Sequence, residues 1–248
     1  MCLFGLIGWP LGHSFSKEYF SEKFEREGIQ DARYELFPLE DLSDLDHLLH
    51  ENPELRGLNV TIPYKEKVLP YLHKLDETAK AVGAVNCIKI IDNQHLIGFN
   101  TDAIGFEKSL SSEAVEACLE DGRPALVLGT GGASKAVSYV FKKLEIPFLF
   151  VSRNPTNARE ISYEALSEHT SVLIVNTTPV GTHPKTGEKP PLPADFFKPG
   201  MFVYDLIYNP AETLLLQDAK SQGCSVKNGL EMLELQAEAA WEIWQQNP

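Results

Sequence analysis

An α/β fold is predicted from three features of the sequence. First, Ala125–Leu128 is an apolar strand that runs into Gly129-Thr-Gly131-Gly132-Ala133-Ser134. A helix follows with Ala133, Ala136, Val137, Val140, Phe141 and Leu144 at helical spacing, and then a strand, Phe148–Val151. This is a βαβ unit with a glycine turn, and its glycines let a backbone approach a pyrophosphate at the helix N-terminus. Second, Leu58, Val60 and Ile62 alternate with Asn59 and Thr61, the period of a half-buried strand with its three apolar side chains on the core. Third, short strands and helices alternate along the rest of the chain. It closes on a helix, Leu230–Gln245, with Leu233, Ala237, Ala240 and Trp244 on one stripe.

The 248 residues allow one large domain or two of ordinary size. A net charge of −13 argues against a broad nucleic-acid face and against an anionic membrane as partner. It does not exclude an anionic substrate, because local donors in a pocket decide that. Cys2, Cys87, Cys118 and Cys224 have no metal or redox spacing, so reduced thiols in a cytoplasmic protein are expected. The seven histidines form no metal motif. The apolar start lacks a basic n-region and reads as a first strand, and no apolar run is long enough to span a bilayer.

In the first half, Leu3–Ile7 is a strand and Trp9–Gly12 a turn. Ser14 or Ser16 opens a helix running to about Glu27, with Tyr19, Phe20 and Phe24 inward and Gly28 stopping it. Serine is a preferred N-cap. The same helix end, with free N–H groups and partial positive charge, makes two hydroxyls a cradle for a carboxylate. Arg33–Phe37 is a strand, and Leu45, Leu48 and Leu49 mark a short helix. Pro63 ends the Leu58–Ile62 strand, and Tyr64 and Lys65 are expected to open a helix. Asn59, Thr61 and Lys65 then bring an amide, a hydroxyl and an ammonium to one corner, which suits a small polyhydroxylated molecule. The plainer alternative is a solvated strand face with a surface lysine. Asp76–Val82 is helical. Val85–Ile91, with Asn86 near its start, and His95–Phe99 are strands joined at Asp92-Asn93. Asp102 is expected to cap a helix over Ala103–Leu110.

In the second half, Ser111–Pro124 is a polar stretch that precedes the βαβ unit. After Val151 comes Ser152-Arg153-Asn154. An acid at this corner binds a ribose 2′-OH; here there is none, and Arg153 offers a guanidinium to a 2′-phosphate, which favours NADP. An ordinary surface arginine is the alternative. Val172–Val175 and Phe202–Asp205 are strands, Pro184–Pro193 a loop and Ala211–Ser221 a helix. Gln236 falls off the apolar stripe of the last helix, where a solvated position is expected.

Four stretches together resemble the shikimate dehydrogenase family. They are Gly12-His-Ser-Phe-Ser16, Gly57–Lys65, Gly83-Ala-Val-Asn86 with Gly98–Gly105, and Asp205–Pro210 with Gly229–Leu233 and Gln236. The resemblance implies a two-domain α/β protein. An N-terminal α/β substrate-binding domain covers 1–101 and is completed by the C-terminal helix, 230–248. A Rossmann dinucleotide-binding domain for NADP covers 102–229. It implies reversible NADPH-dependent reduction of 3-dehydroshikimate to shikimate, with Lys65 and Asp102 as the catalytic pair. Ser14 and Ser16 are expected at the substrate carboxylate with Thr61 and Tyr208 nearby, and Asn59, Asn86 and Gln236 at the ring hydroxyls. The cofactor would lie on Gly129, Gly131, Gly132, Ala133, Ser152, Arg153, Asn154, Thr177, Ile207 and Gly229. A cytoplasmic monomer or homodimer with neither nucleic-acid nor membrane partners is implied.

The sequence also departs from the family pattern. Ser152-Arg153-Asn154 stands where Asn-Arg-Thr is usual, and Asn157 stands where a second basic residue is usual, with Arg159 a candidate substitute. Thr182 replaces a common methionine, and the C-terminal tail is short. Mixed NAD and NADP use, and quinate as substrate, therefore stay open. A non-catalytic dinucleotide sensor is a third reading, against which the retained Lys65 and Asp102 argue.

Overall fold

In the computed structural model, which describes residues 1–12, 14–91 and 95–246, the chain divides into two units. One comprises residues 1–101 with 237–248, the other residues 102–236. The turn expected at Asp92-Asn93 lies outside the described residues.

The first unit contains β1 (Cys2–Gly8), α1 (Phe15–Arg26), β2 (Ala32–Pro38), α2 (Leu45–Glu51), β3 (Leu55–Val60), β4 (Lys74–Leu75), α3 (Glu77–Val82), β5 (Cys87–Ile91) and β6 (His95–Phe99). Its sheet has the order β2-β1-β3-β5-β6-β4. β1 runs parallel to β2 and β3, whereas β3–β5 and β5–β6 are antiparallel. One face is covered by an aliphatic core that includes Leu3, Ile7, Leu45, Leu58 and Ile88. The other is covered by aromatics, among them Phe4, Phe20, Phe24, Tyr34 and Trp244.

This central placement corrects two expectations about β3. The strand is buried on both faces, so Asn59 is itself buried, at 5% exposure. The alternation also stops at Val60, and Ile62 is 72% exposed rather than in the core. There the Thr61 N–H still bonds to the Ile7 carbonyl, but the Tyr64 N–H already bonds back to the Thr61 carbonyl, so the chain turns.

No helix opens at Tyr64 and Lys65 either. Turns lead to a short 3₁₀ segment, Leu69–Tyr71, which contains Pro70 and its missing N–H. The buried Tyr64 hydroxyl donates to the carbonyls of Leu39 and Glu40, and this anchor fixes the turn.

The second unit contains α4 (Thr101–Ser109, which begins at the boundary), α5 (Ser112–Asp121), β7 (Ala125–Leu128), α6 (Gly132–Lys143), β8 (Phe148–Val151), β9 (Glu160–Ile161), β10 (Leu173–Asn176), β11 (Phe202–Asp205), α7 (Leu214–Ser221) and β12 (Ser225–Lys227). The sheet is parallel throughout, in the order β12-β11-β10-β7-β8-β9. Counted along the chain this is third, second, first, fourth, fifth, sixth, the doubly wound order whose switch point falls between the first and fourth strands. β7 and β10 are buried on both faces, as a central parallel strand must be.

The polar stretch after Ser111 is helical: Ser111 caps α5 by accepting the Ala114 N–H, Ala114 and Cys118 face inward, and Gly122 ends it at φ 72°. α7 begins at Leu214 rather than Ala211, because Thr213 is its cap. α8 (Leu230–Gln245) passes from the second unit into the first. Its Trp244 indole donates to the Ile88 carbonyl at 3.0 Å and lies where any side chain at Gly57 would overlap it.

Candidate active site

In the first unit, α1 starts at Phe15, so Ser14 is its N-cap residue, with extended backbone. Its side chain makes no capping hydrogen bond, so the hydroxyl is not committed to the helix. Ser16 sits in the first turn, and its hydroxyl, near the phenol of Tyr34, partly counters the rise in that phenol's pKa. That phenol, on β2, donates to Asn59 Oδ1 at 2.7 Å, and Asn59 Nδ2 donates to the Asn86 carbonyl at 3.3 Å. Burial pushes the Tyr34 phenol well above its ordinary pKa, so it stays a neutral donor, and this fixes which way the Asn59 amide points.

Asn86 is buried, and its side chain faces the next element. Its Oδ1 accepts the Thr101 N–H at 2.6 Å and its Nδ2 donates to Thr101 Oγ1 at 2.9 Å. That amide therefore pins the first residue of α4. Asp102 follows as the second helical residue, 8% exposed. The expected N-cap role is thus corrected: the helix begins one residue before Asp102, because Asn86 already holds the Thr101 N–H. Lys65 is half-buried on the turn after β3, and its carbonyl accepts the Val85 N–H at 2.7 Å, beside Asn86. Thr61 is half-buried at the end of β3.

In the second unit, Gln236 is buried at 8% exposure, not solvated as its offset from the stripe suggested. The reason is α4: a Cβ on Gly105 would lie 2.6 Å from the Met232 carbonyl oxygen and 3.0 Å from Gln236 Cβ, so the two helices are close-packed there. Asp102 lies one turn before Gly105. Tyr208, on the loop after β11, is 38% exposed.

The glycine loop sits at the switch point. Gly129 has φ 100°, and a Cβ there would lie 2.9 Å from Thr178 Cγ2 and 3.1 Å from Thr177 Oγ1. Thr177 bonds through both its N–H and its hydroxyl to the Leu128 carbonyl. A Cβ on Gly131 or Gly132 would meet nothing within 4 Å, so the N-terminus of the 12-residue α6 is uncovered. Ala133 is in its first turn, and Ser134 closes that turn by donating to the Gly131 carbonyl at 2.6 Å. An open helix N-terminus with two glycines fits a pyrophosphate.

Past β8, the Ser152 hydroxyl accepts the Asn154 N–H, and Arg153 and Asn154 are exposed. Asn157 is engaged inside the loop: its Nδ2 donates to Glu160 at 2.6 Å and its Oδ1 accepts the Arg159 N–H at 3.0 Å. The Ile207 carbonyl accepts the Gly229 N–H at 3.0 Å, and any side chain at Gly229 would overlap the Leu206 carbonyl.

Several functional supports were not singled out from sequence. Tyr34 and Thr101 join Asn59 and Asn86 into one network. Asn176, Asp205 and Thr213 do the same at the strand ends of the second unit: Asp205 accepts from Asn176 Nδ2 at 2.9 Å, the Ile207 N–H at 3.1 Å and Thr213 Oγ1 at 2.6 Å. Burial pushes the Asp205 carboxyl above its ordinary pKa, and these three donors pull it partly back. The available signal was a polar residue closing each apolar strand. Among the described residues, no group of three or more His, Cys, Asp or Glu is placed to hold a metal, and no helix is long and apolar enough to cross a membrane.

A family model for the shikimate dehydrogenase substrate binding domain matches residues 6–88. The curated NADP(+) shikimate dehydrogenase of Methanococcus vannielii is 37% identical over 267 residues, spanning 98% of this chain and 90% of its own. The chain belongs to the shikimate dehydrogenase family. Solved structures agree. A chorismate mutase/shikimate 5-dehydrogenase fusion protein from Clostridium acetobutylicum superposes with a TM-score of 0.86 at 38% identity, covering 98% of this chain and 91% of that one. The shikimate 5-dehydrogenase of Thermus thermophilus, in complex with NADP(H) and shikimate, gives 0.82 at 33% identity and covers 99% of this chain and 94% of its own.

Proposed function

We propose that this protein is a shikimate dehydrogenase that interconverts 3-dehydroshikimate and shikimate with NADP as cofactor. The observation that carries the reading is the full-length likeness to the Thermus thermophilus enzyme, whose structure holds both NADP(H) and shikimate. In this reading residues 1–101 with 230–248 form the substrate domain, and residues 102–229 the NADP domain. The protein works in the cytoplasm as a monomer or homodimer.

The chemistry follows from the residues. Ser14 and Ser16, with Thr61 and Tyr208, hold the substrate carboxylate at the positive end of α1. Asn59, Asn86 and Gln236 bond the ring hydroxyls. Asn59 is preset for this, since Tyr34 and the Asn86 carbonyl leave it one lone pair and one N–H to offer. Reducing a ketone builds charge on its oxygen, and Lys65 supplies the proton or the cation that meets it there. Asp102 orients the lysine and accepts a hydroxyl hydrogen. The nicotinamide, when bound, gives or takes the hydride. Gly129, Gly131, Gly132 and Ala133 hold its pyrophosphate, Ser152, Arg153 and Asn154 face the 2′-phosphate, and Thr177, Ile207 and Gly229 line the remainder.

Purified protein assayed for shikimate- and quinate-dependent reduction of NADP⁺ and of NAD⁺ tests the reading. Shikimate with NADP⁺ should give the highest kcat/KM. A larger value with quinate, or no turnover with any pair, would overturn it.

A further inference from the structure

The helix that carries Gln236 is held against α1 by a polar cluster that the mechanism above does not use. Lys23, 4% exposed, donates to Glu238 Oε2 at 2.8 Å and to Glu27 Oε1 at 2.8 Å. The Tyr19 hydroxyl also donates to Glu238. Around these groups the contact is aromatic: Phe24 meets Trp241 at 5.2 Å between ring centroids, and Phe20 meets Trp244 at 5.5 Å. The Trp244 indole, bonded to the Ile88 carbonyl, fixes the C-terminal end of α8, and the Lys23–Glu238 pair is a second polar anchor nearer Gln236. The pair is asymmetric: Lys23 is buried while the Glu238 side chain is 36% exposed, so desolvation of the lysine and solvent screening at the carboxylate leave it little net stability. Its geometric demand is strict, however, and setting register is the best attested use of such pairs.

We infer that the Lys23–Glu238 pair, with Tyr19, is a positioning device that fixes the rotation and axial register of α8 and thereby the presentation of Gln236. Glu238 and Gln236 are two residues apart, about 200° around a helix, so an anchor on one side sets the aim of the other. Gln236 itself packs beside α4 at Gly105, where close contact leaves little room for error. α1 has Ser14 at its N-cap and Ser16 in its first turn, so the pair ties the helix of the proposed carboxylate cradle to α8. The inference rests on the shikimate dehydrogenase reading.

The test is the double substitution Lys23→Met with Glu238→Leu, which removes both charges and keeps the volume apolar. The melting temperature should hold or rise. The KM for shikimate should rise about three- to tenfold, the worth of one neutral hydrogen bond, while the KM for NADP⁺ stays unchanged. In a Gln236→Ala background the same double substitution should add nothing further, because its effect acts through Gln236. If the double variant does not fold, Glu238→Leu alone leaves Lys23 its bond to Glu27 and carries the same readout. An unchanged KM for shikimate, or a rise that persists in full without Gln236, would show the pair to be structural only and overturn the inference. Wild-type protein lacking shikimate-dependent NADP⁺ reduction would instead overturn the functional reading, and the inference with it.

Discussion

The two serines at the start of α1 are not equivalent. Ser14 occupies the N-cap position with a side chain that makes no capping bond, whereas Ser16 lies within the first turn, near the Tyr34 phenol. Ser14→Ala should therefore leave the melting temperature unchanged and raise the KM for shikimate, with little effect on kcat, the pattern of binding lost equally in ground and transition states. Ser16→Ala should do the same and also let the Tyr34 phenol pKa rise further. A fall in melting temperature for Ser14→Ala without a change in KM would return Ser14 to a capping role. At this scale the sequence was informative about residue type and poor about direction. Ser14, Asn59 and Lys65 were visible as polar groups next to apolar runs. That Asn59 is buried, and that Asn86 faces Thr101, depends on which strands flank β3 and β5, and no local pattern encodes that.

At the scale of the element, one helix start and one loop decide the arrangement. The first turn of α4 is set from outside the helix by the Asn86 amide. Asn86→Ala should leave the Thr101 N–H without that acceptor and destabilise the fold by about 1–3 kcal/mol. It should also lower kcat, because Asp102 is the next residue. Asn86→Asp keeps an acceptor for that N–H and should recover most of the stability in a thermal melt, but not the kcat. Equal melting temperatures for Asn86→Ala and wild type would show that α4 sets its own start. The loop after β8 makes the second prediction. With Asn157 engaged by Glu160, Arg153 is the exposed guanidinium at the strand end expected to meet a 2′-phosphate. Charge-assisted bonds of this kind contribute roughly 1.5–3 kcal/mol, about ten- to a hundredfold in preference, and the lower part of that range is expected here. Arg153→Ala should raise the KM for NADP⁺ and leave NAD⁺ use nearly unchanged; equal losses for both would remove Arg153 from cofactor selection. Periodic elements such as α6 and α8 were legible because each carries a long apolar stripe. The turn at Tyr64 and the helix α5 were not. A buried tyrosine hydroxyl fixes the first, and the second shows only two inward residues between Ser111 and Gly122.

For the whole molecule, the buried tyrosines join stability to pH. Tyr34 lies well above its ordinary pKa through burial, and burial pushes Tyr204 up to about 12 against a partial offset from the Ser109 hydroxyl. In an unfolded chain both titrate near pH ~10. Above that pH the folded state holds more protons than the unfolded one, so stability falls as pH rises further. Below pH ~10 the contribution of both groups is fully present. The tyrosinate absorbance of the folded protein should therefore fall short of the eight tyrosines in the sequence until alkaline unfolding releases the remainder. Reversible titration of all eight near pH ~10 with the fold intact would contradict the buried network. The doubly wound half was legible at this scale because its glycine loop, strand ends and parallel strands recur in one order. The mixed sheet of the first unit was not, since its order β2-β1-β3-β5-β6-β4 joins strands that are distant in sequence.

The most direct test of the account is kcat for Lys65→Ala beside wild type, with shikimate and NADP⁺ both saturating. Lys65 is half-buried on a turn, and alanine there opens no core cavity, so the variant should fold with an unchanged melting temperature. Wild type should reduce NADP⁺ only when shikimate is present, and the variant should be slower by about a hundredfold or more. A folded Lys65→Ala protein that turns over nearly as fast as wild type would contradict the central claim that this lysine meets the charge on the reacting oxygen.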